Sequence, residues 1–373
     1  MTETRAGIVL GALCVLTWLV LLGFGLWPFD FFPRNQIEWL QDRNGIHFGG
    51  YGEVYGAAVA DFSGSNTAQV TDSYSVEIWL HVWAKTYPQV SAILSIDNPA
   101  TPAGFAIMRS GPDLLVRGRF LDEKNGLLTH KLWLDDACLK GEPRFITFTS
   151  GPNGSALYLE GVLQKHYPLV LTSDNLVGRL LLGHSPTGNE AWTGDVFGIA
   201  IYDRALTVHE VSEHYADWKQ TRITDLADER GVVALYTFNE RTGFVIHNRA
   251  GSTDLIIPKH FKLLHTTTLS PELNIHRSDL HDIVVNIVGF APFGFFGCAY
   301  LRHVRRLEKN QAALTIIALG AITSLTIELL QAHLPSRDSS LLDVIDNTLG
   351  TTLGAIAFLC SSGLDTKTRR IID

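Results

Sequence analysis

Ser75-Val76-Glu77-Ile78-Trp79-Leu80-His81-Val82-Trp83 places an aliphatic side chain at every second position. This period of two is typical of a β-strand with one face against a core. Similar short segments, separated by turn residues, recur to about residue 247, at 144–148, 156–159, 179–182, 195–202, 232–238 and 244–247. Many short strands at regular spacing predict an all-β antiparallel sandwich for the middle of the chain.

Two local signals refine this prediction. Pro152-Asn153-Gly154 separates two of the strand segments, and such a turn between strands predicts a β-hairpin. Thr207 followed by Glu210 forms a capping-box pattern at the start of an amphipathic stretch, which predicts one helix over 207–219.

The sandwich region is flanked by four apolar stretches poor in charged residues, at 7–29, 283–301, 312–330 and 344–359, of which the last two contain only Glu328 and Asp346. About 20 apolar residues cross a bilayer, so each stretch predicts a transmembrane helix. The charged fraction of 18% agrees, since soluble proteins average about a quarter. A signal peptide is the competing interpretation of the first stretch, but no cleavage site follows and the run exceeds a signal core.

The predicted fold class is therefore an α-helical membrane bundle of four transmembrane helices with an inserted all-β antiparallel sandwich. The predicted domains are 1–34 for the first span, 35–262 for the sandwich, 263–280 for a linker, 281–362 for the remaining spans and 363–373 for a cytoplasmic tail.

Basic residues orient the bundle. They precede the first span, lie between the second and third, and follow the fourth, as Arg5, Arg302, Arg305, Arg306, Lys309, Lys367, Arg369 and Arg370. The loop 333–340 contains only Arg337. Positive-inside counting predicts a multi-pass membrane protein with both termini cytoplasmic and the sandwich extracytoplasmic. The family resemblance given below for the helical segments implies that the membrane is a bacterial inner membrane. The net charge of −8 argues against a nucleic-acid partner.

Three of the spans have a polar stripe at helical spacing, made of Asp282, Asn286, Glu328, Gln331, Asp343, Asp346 and Asn347. In the predicted topology the stripes converge in the outer leaflet, close to Arg337. Carboxylates in lipid are costly and are usually functional, so we expect a site there. For single residues, a helix N-terminus would explain Asp343 and Asp346, and helix association would explain Asn286 and Gln331. A metal site including His281 or His333 lacks compact ligand spacing.

The middle of the chain resembles concanavalin A-like, laminin-G-type domains. Tyr74-Ser75-Val76-Glu77-Ile78-Trp79-Leu80 is similar to one of their strands, Leu157-Tyr158-Leu159-Glu160-Gly161-Val162 to a hairpin, and Ile201-Tyr202-Asp203-Arg204-Ala205-Leu206 to their ending. The resemblance implies the sandwich fold and glycan binding as one of many activities. The Glu-x-Asp-x-x-Glu cluster of related glucanases does not occur, which argues against glycosidase activity.

Two further expectations follow for this domain. Strand patterning predicts that Trp79, Trp83 and Trp192 belong to the core rather than to a sugar-stacking surface. Many related domains bind calcium, and Asp61, Asp72 and Asp195 are candidate ligands, although solvated turn residues explain them equally well.

The helical segments resemble the VanZ-like family of bacterial membrane proteins. The resemblance rests on Asp282-Ile283-Val284-Val285-Asn286, on Glu328-Leu329-Leu330-Gln331, and on Arg337 followed by Asp343-Val344-Ile345-Asp346-Asn347-Thr348-Leu349-Gly350. It implies work in the bacterial cell envelope and a possible link to resistance to teicoplanin-type glycopeptides.

Three functions are compatible with the sequence. The first is a non-enzymatic envelope protein, whose partners are the lipid bilayer and a cell-wall glycan or lipid-linked precursor. The second is an enzyme or transporter for a lipid-linked envelope precursor, with Glu328 or Asp346 as general base or proton carrier and Arg337 on a phosphate. The third is a sensor, which the absence of a cytoplasmic output segment disfavours.

Overall fold

The computed structural model describes residues 3–372 apart from 63–72, 84–89, 99–103, 123, 125, 139–140, 187–190, 221–222, 267 and 271–276. The chain divides into two compact units. One unit combines Met1–Phe31 with Thr266–Asp373, and the other is Phe32–His265. Each unit has its own buried core.

The Phe32–His265 unit contains two antiparallel sheets. The described strands of the first sheet are β1 (Ile37–Trp39), β2 (Ile46–Phe48), β5 (Tyr74–Val82), β10 (Arg144–Gly151), β11 (Gly154–Leu159), β12 (Val162–Tyr167), β15 (Gly194–Tyr202) and β16 (Val232–Tyr236). They are arranged as β1-β2-β15-β5-β10-β11-β12, and β16 pairs with β15. Strands β5 and β15 are central in this sheet, so each has a hydrogen-bonded neighbouring strand on both sides.

The described strands of the second sheet are β3 (Val54–Gly56), β4 (Ala60–Asp61), β6 (Ser91–Asp97), β7 (Ala106–Ser110), β8 (Asp113–Asp122), β9 (Gly126–Leu134), β13 (Leu169–Leu171), β14 (Val177–Leu182), β17 (Val245–Ile246) and β18 (Leu255–Ile256). Their order is β13-β8-β7-β6-β14-β3-β18-β17, with β4 on β14 and β9 on β8. Short 3-10 helices occupy Ser173–Leu176 and Ile223–Asp228.

The main core lies between these sheets. In β5 the alternate residues Val76, Ile78 and Leu80 are buried in it, as the period of two requires. Glu77 and Trp79 point to the opposite face, which carries a second, smaller core. The predicted hairpin is confirmed, since β10 and β11 pair up to Gly151 and Gly154 around Pro152-Asn153.

Helix α2 (Val208–Lys219) covers part of the outer face of the first sheet. Thr207 is its N-cap and forms the predicted capping box with Glu210. Val211 and Trp218 of α2 pack with Phe145 and Tyr202 of the sheet in the smaller core. The helix therefore shields one half of that face and leaves the residues beyond Trp79 without this cover.

The other unit is helical. Its described helices are α1 (Glu3–Leu26), α3 (Arg277–His303), α4 (Lys309–Gln331) and α5 (Leu341–Ile372). Each contains a stretch long and apolar enough to cross a membrane, at Arg5–Leu26, Leu280–His303, Lys309–Gln331 and Leu341–Ser361. Helix α1 ends at Leu26 rather than at residue 29, as expected of a helix that meets Pro28. Together with the sandwich, these helices confirm the predicted fold class.

Glycines bring α3 and α5 into close contact. A Cβ atom built on Gly354 would lie 1.9 Å from the carbonyl oxygen of Ala291, and one on Gly350 would lie 2.3 Å from that of Ile287. On the opposite helix, a Cβ on Gly294 would lie 2.0 Å from the carbonyl oxygen of Thr351. Such spacing of small residues is a common means of membrane helix association, because it lets the backbones touch.

Candidate functional site

A row of polar residues crosses the first sheet on its outer face. Asp195 of β15 pairs in register with His47 of β2 on one side and with His81 of β5 on the other. The Nδ1 atom of His47 lies 2.7 Å from Oδ1 of Asp195, and that of His81 lies 3.4 Å from Oδ2. The indole N–H of Trp83 donates to Oδ2 at 2.6 Å. We call these four residues the Asp195 row.

The row combines a protected carboxylate with an exposed aromatic ring. The Asp195 side chain is only 7% exposed, whereas Trp83 is 52% exposed. The Trp83 ring contacts both imidazoles edge-on, with centroid distances of 5.6 Å to His47 and 5.7 Å to His81. The row thus offers an apolar ring face beside groups that donate and accept hydrogen bonds.

Hydrogen bonding sets the charge of the row. Burial alone would raise the pKa of Asp195, but hydrogen bonds from His47, Trp83 and His81 outweigh it and lower that pKa. The hydrogen bond to Asp195 raises the pKa of His47, despite a smaller opposing effect of burial. Asp195 is therefore an ionised hydrogen-bond acceptor at neutral pH, and its hydrogen bond favours the protonated form of His47.

The prediction that Trp83 belongs to the core is wrong. Trp192 is fully buried, as predicted, and the half-buried Trp79 packs on Phe145 and Tyr215. Trp79 of β5 and Trp83, which directly follows the strand, lie at positions of the same alternation, but α2 covers only the Trp79 end. Sequence alternation identifies the face of a residue and not what covers it, so the Asp195 row could not be recognised from the sequence.

The structure does not assemble the predicted calcium ligands. Asp195 is engaged by its histidine and tryptophan donors, and Asp61 belongs to β4, which pairs within the second sheet. Asp72 lies outside the described residues. Across the described parts of the chain no group of three or more His, Cys, Asp or Glu side chains is arranged to hold a metal ion. Asp61 and Asp195 therefore do not share a calcium site.

A buried ion-pair network anchors α2. Glu77 is fully buried, and its Oε1 lies 2.9 Å from Nδ1 of His214. The other ring nitrogen of His214 lies 2.8 Å from Oε2 of Glu229. Tyr202 Oη and Trp218 Nε1 also donate to Glu77. Both imidazole nitrogens face carboxylates, which favours the doubly protonated ring. We call these contacts the His214 clamp, because they hold α2 against β5 through a buried ion pair.

In the helical unit, the predicted polar residues form several separate contacts. Glu328 is only 2% exposed, and its Oε2 accepts the backbone N–H of Ser340 at 2.8 Å. Gln331 Nε2 donates to the carbonyl of Gly25 at 2.7 Å. Asn347 Nδ2 donates to Ser324 Oγ at 2.9 Å. These contacts tie α4 to α1, to the α4–α5 loop and to α5.

The acidic residues near the start of α3 and α5 differ in burial. Asn286 hydrogen-bonds the Asp343 carboxylate, while Asp282 and its neighbour His281 are exposed. His333 is exposed as well. Asp346 is buried, and its Oδ2 has no hydrogen-bond partner in the described structure; the same holds for Oδ1 of Asn347 and Oε1 of Gln331. Buried acceptors of this kind can receive a hydrogen bond from water or a ligand.

Arg337 does not neutralise any of these carboxylates by direct contact. Its Nε donates to the carbonyl of Trp27 at 3.1 Å, and no ion pair of Arg337 occurs among the described residues. The structure therefore brings α3, α4 and α5 residues to one end of the bundle, with Arg337 turned towards the end of α1. The sequence did not indicate this partner, since a contact to a backbone carbonyl leaves no residue signature.

Comparison with known families assigns two regions of the chain. Residues 231–362 match the VanZ/LLP1 family, and residues 55–212 match the concanavalin A-like lectin/glucanase superfamily through its Laminin_G_3 family. The first match contains the last sandwich strands, β16, β17 and β18, together with α3, α4 and most of α5, and the second contains most of the sandwich strands. Among curated proteins, no sequence matches the chain.

Solved structures also match the chain, at low identity and low TM-score. A carbohydrate-binding protein from Bacteroides ovatus is 13% identical, with 57% of each chain covered and a TM-score of 0.40. The receptor-binding domain of the botulinum neurotoxin C/D mosaic serotype is 12% identical, with 49% of this chain and 45% of that chain covered and a TM-score of 0.37. The chain spans about half the length of these proteins.

Proposed function

The chain is a membrane protein that joins a VanZ/LLP1 region to a concanavalin A-like lectin/glucanase domain, and from this premise we propose that it is an envelope protein whose sandwich binds a glycan. The observation that supports this most is the Asp195 row. It is a polar cluster on an otherwise packed sheet, and it ends in a tryptophan whose ring is more than half exposed.

The chemistry of the row suits a sugar. The apolar face of a pyranose ring stacks on an indole, and sugar hydroxyls both donate and accept hydrogen bonds. Asp195 supplies a carboxylate acceptor, and the two imidazoles supply groups of either kind. The cross-strand register fixes these side chains on three neighbouring strands, so the surface is preformed and binding loses little conformational entropy.

We also propose the orientation that the basic residues favour, with both termini in the cytoplasm and the sandwich outside. In this orientation the Asp195 row meets extracellular or periplasmic glycans. The loop between α3 and α4, with Arg305 and Arg306, then faces the cytoplasm, and the loop between α4 and α5, with Arg337, faces outward.

Removal of the exposed ring tests the proposed function. We expect Trp83→Ala in the full chain, purified in detergent, to weaken binding to a glycan array or to cell-wall sacculi about 2- to 13-fold, because the stacking contribution is worth about 0.5–1.5 kcal/mol. Trp133→Ala is the matched control, since Trp133 is an exposed tryptophan on β9 of the other sheet. The control is expected to bind as the wild type does.

Two results would contradict the proposal. One is a wild-type chain that binds no glycan on the array or sacculi under conditions in which its fluorescence reports a folded sandwich. The other is equal binding by wild type, Trp83→Ala and Trp133→Ala, which would place any glycan site elsewhere on the domain. Competition by a soluble monosaccharide separates specific binding from adsorption to the wall.

A further inference from the structure

A groove runs along the end of α1 in the helical unit. Its cavity volume is about 460 Å³, and it is lined by Val20, Gly23, Phe24, Trp27, Phe29 and Arg337. Five of these residues belong to the last two turns of α1 and the segment that follows it, and Arg337 comes from the α4–α5 loop. None of the carboxylates of the polar site lines this groove.

The walls of the groove are apolar and open to the surroundings of the helix. Val20, Gly23 and Phe24 share one face of α1 at helical spacing, and Trp27 directly follows the last residue of the helix, Leu26. Phe24 is 77% exposed, and it belongs to a stretch that crosses the membrane. Phe29 closes the end of the groove: its ring meets that of Trp27 edge-on at 6.3 Å, and its N–H donates to the carbonyl of Leu26. Such walls suit an aliphatic chain.

The single charged group of the groove is Arg337. Its guanidinium donates from Nε to the carbonyl of Trp27 at 3.1 Å and from Nη2 to the carbonyl of Phe24 at 3.5 Å, and among the described residues it has no carboxylate partner. A guanidinium is always charged, and a charged group at the edge of a bilayer is costly unless it is hydrated or paired. Its remaining N–H groups match the geometry of phosphate oxygens.

We propose that this groove binds a lipid with an anionic phosphate headgroup, the phosphate on Arg337 and an acyl chain along Val20, Phe24 and Trp27. A lipid rather than a soluble phosphate is the occupant, because the groove is apolar apart from one cation and opens on the membrane-crossing face of α1. This site is separate from the glycan surface of the sandwich, and neither proposal depends on the other.

Gly23 permits a test that leaves Arg337 intact. A Cβ atom built on Gly23 has no heavy atom within 4 Å, so a leucine at this position begins in open space and extends into the groove. Gly289→Leu on α3 is the matched control, since its Cβ also meets nothing within 4 Å and it does not line the groove. The readout is native mass spectrometry of the full chain with palmitoyl-oleoyl phosphatidylglycerol or phosphatidylcholine.

We expect wild type and Gly289→Leu to retain phosphatidylglycerol roughly tenfold more strongly than phosphatidylcholine, and Gly23→Leu to lose that retention roughly tenfold. Arg337→Gln is expected to bind both lipids equally, whereas Arg305→Gln, which removes an exposed arginine from the α3–α4 loop, keeps the preference. Unchanged retention in Gly23→Leu would overturn the proposal. So would a wild type that holds the two lipids equally, because the headgroup would then play no part.

Discussion

His214→Leu is expected to destabilise the sandwich by about 3–5 kcal/mol at neutral pH, the usual cost of removing one partner of a buried ion pair. The change leaves Glu77, which is fully buried, without its only cationic neighbour within hydrogen-bond reach among the described residues. Tyr202 and Trp218 still donate to the carboxylate, but neither carries charge. Urea unfolding of the full chain in detergent, followed by tryptophan fluorescence, measures the loss.

His209→Leu is the control for this prediction. His209 lies on the same helix and also pairs with a glutamate, Glu213, but its side chain is 82% exposed. Exposed pairs of this kind contribute about 0–1 kcal/mol, so this variant should unfold almost as wild type does. Equal and small losses for the two variants would show that Glu77 and His214 do not form a clamp.

The stability lost in His214→Leu also depends on pH. Burial alone would lower the pKa of His214, but the hydrogen bond to Glu77 and the charges of Glu77, Glu229 and Glu210 raise it overall. A raised histidine pKa contributes stability fully below the ordinary value of about 6.5, and the contribution disappears as pH rises through the folded-state pKa. The difference between wild type and His214→Leu should therefore be larger at pH 6 than at pH 9.

Gly354→Ala is expected to destabilise the helix bundle by about 1–3 kcal/mol, the usual cost of overpacking. Its added methyl group would lie 1.9 Å from the carbonyl oxygen of Ala291, and a backbone atom cannot turn aside as a flexible side chain does. The helices α3 and α5 must separate, which also weakens the contact at Gly350. Unfolding of the full chain in mixed micelles with increasing dodecyl sulfate measures the change by helical circular dichroism.

Gly289→Ala provides the reference, because it has the same chemistry on α3 and its Cβ meets nothing within 4 Å. Alanine favours the helix over glycine, so this variant should be as stable as wild type or slightly more so. If Gly354→Ala matched it, the close approach of α3 to α5 at this glycine would not exist in the protein.

The fold could be predicted from the sequence because its two halves have different periodicities. The aliphatic residues Val76, Ile78 and Leu80 recur every second position and face one core. The apolar runs of α1 and α4 are too long for a strand and long enough for a bilayer. The capping box of Thr207 and Glu210 could be predicted from the sequence because it depends on two residues three positions apart.

The candidate sites were less predictable, because they depend on contacts distant in sequence. His47, His81 and Asp195 meet through strand register, which no local pattern fixes across residues so far apart. The exposure of Trp83 depends on where α2 ends on the sheet. For the helical unit, the stripe that includes Glu328 and Gln331 was visible as a helical face, whereas their partners, the backbone of Ser340 and Gly25, were not.

The side of the membrane on which the sandwich lies is the most direct test of an envelope function. Two variants each place one cysteine at an exposed position, Lys131→Cys on β9 and Arg305→Cys in the α3–α4 loop. Intact bacterial cells that express either variant are treated with a membrane-impermeant maleimide. We predict that Lys131→Cys is labelled in intact cells and Arg305→Cys only after permeabilisation, with the unsubstituted chain as background. Labelling of Arg305→Cys alone in intact cells would place the sandwich in the cytoplasm and contradict the proposed glycan-binding role.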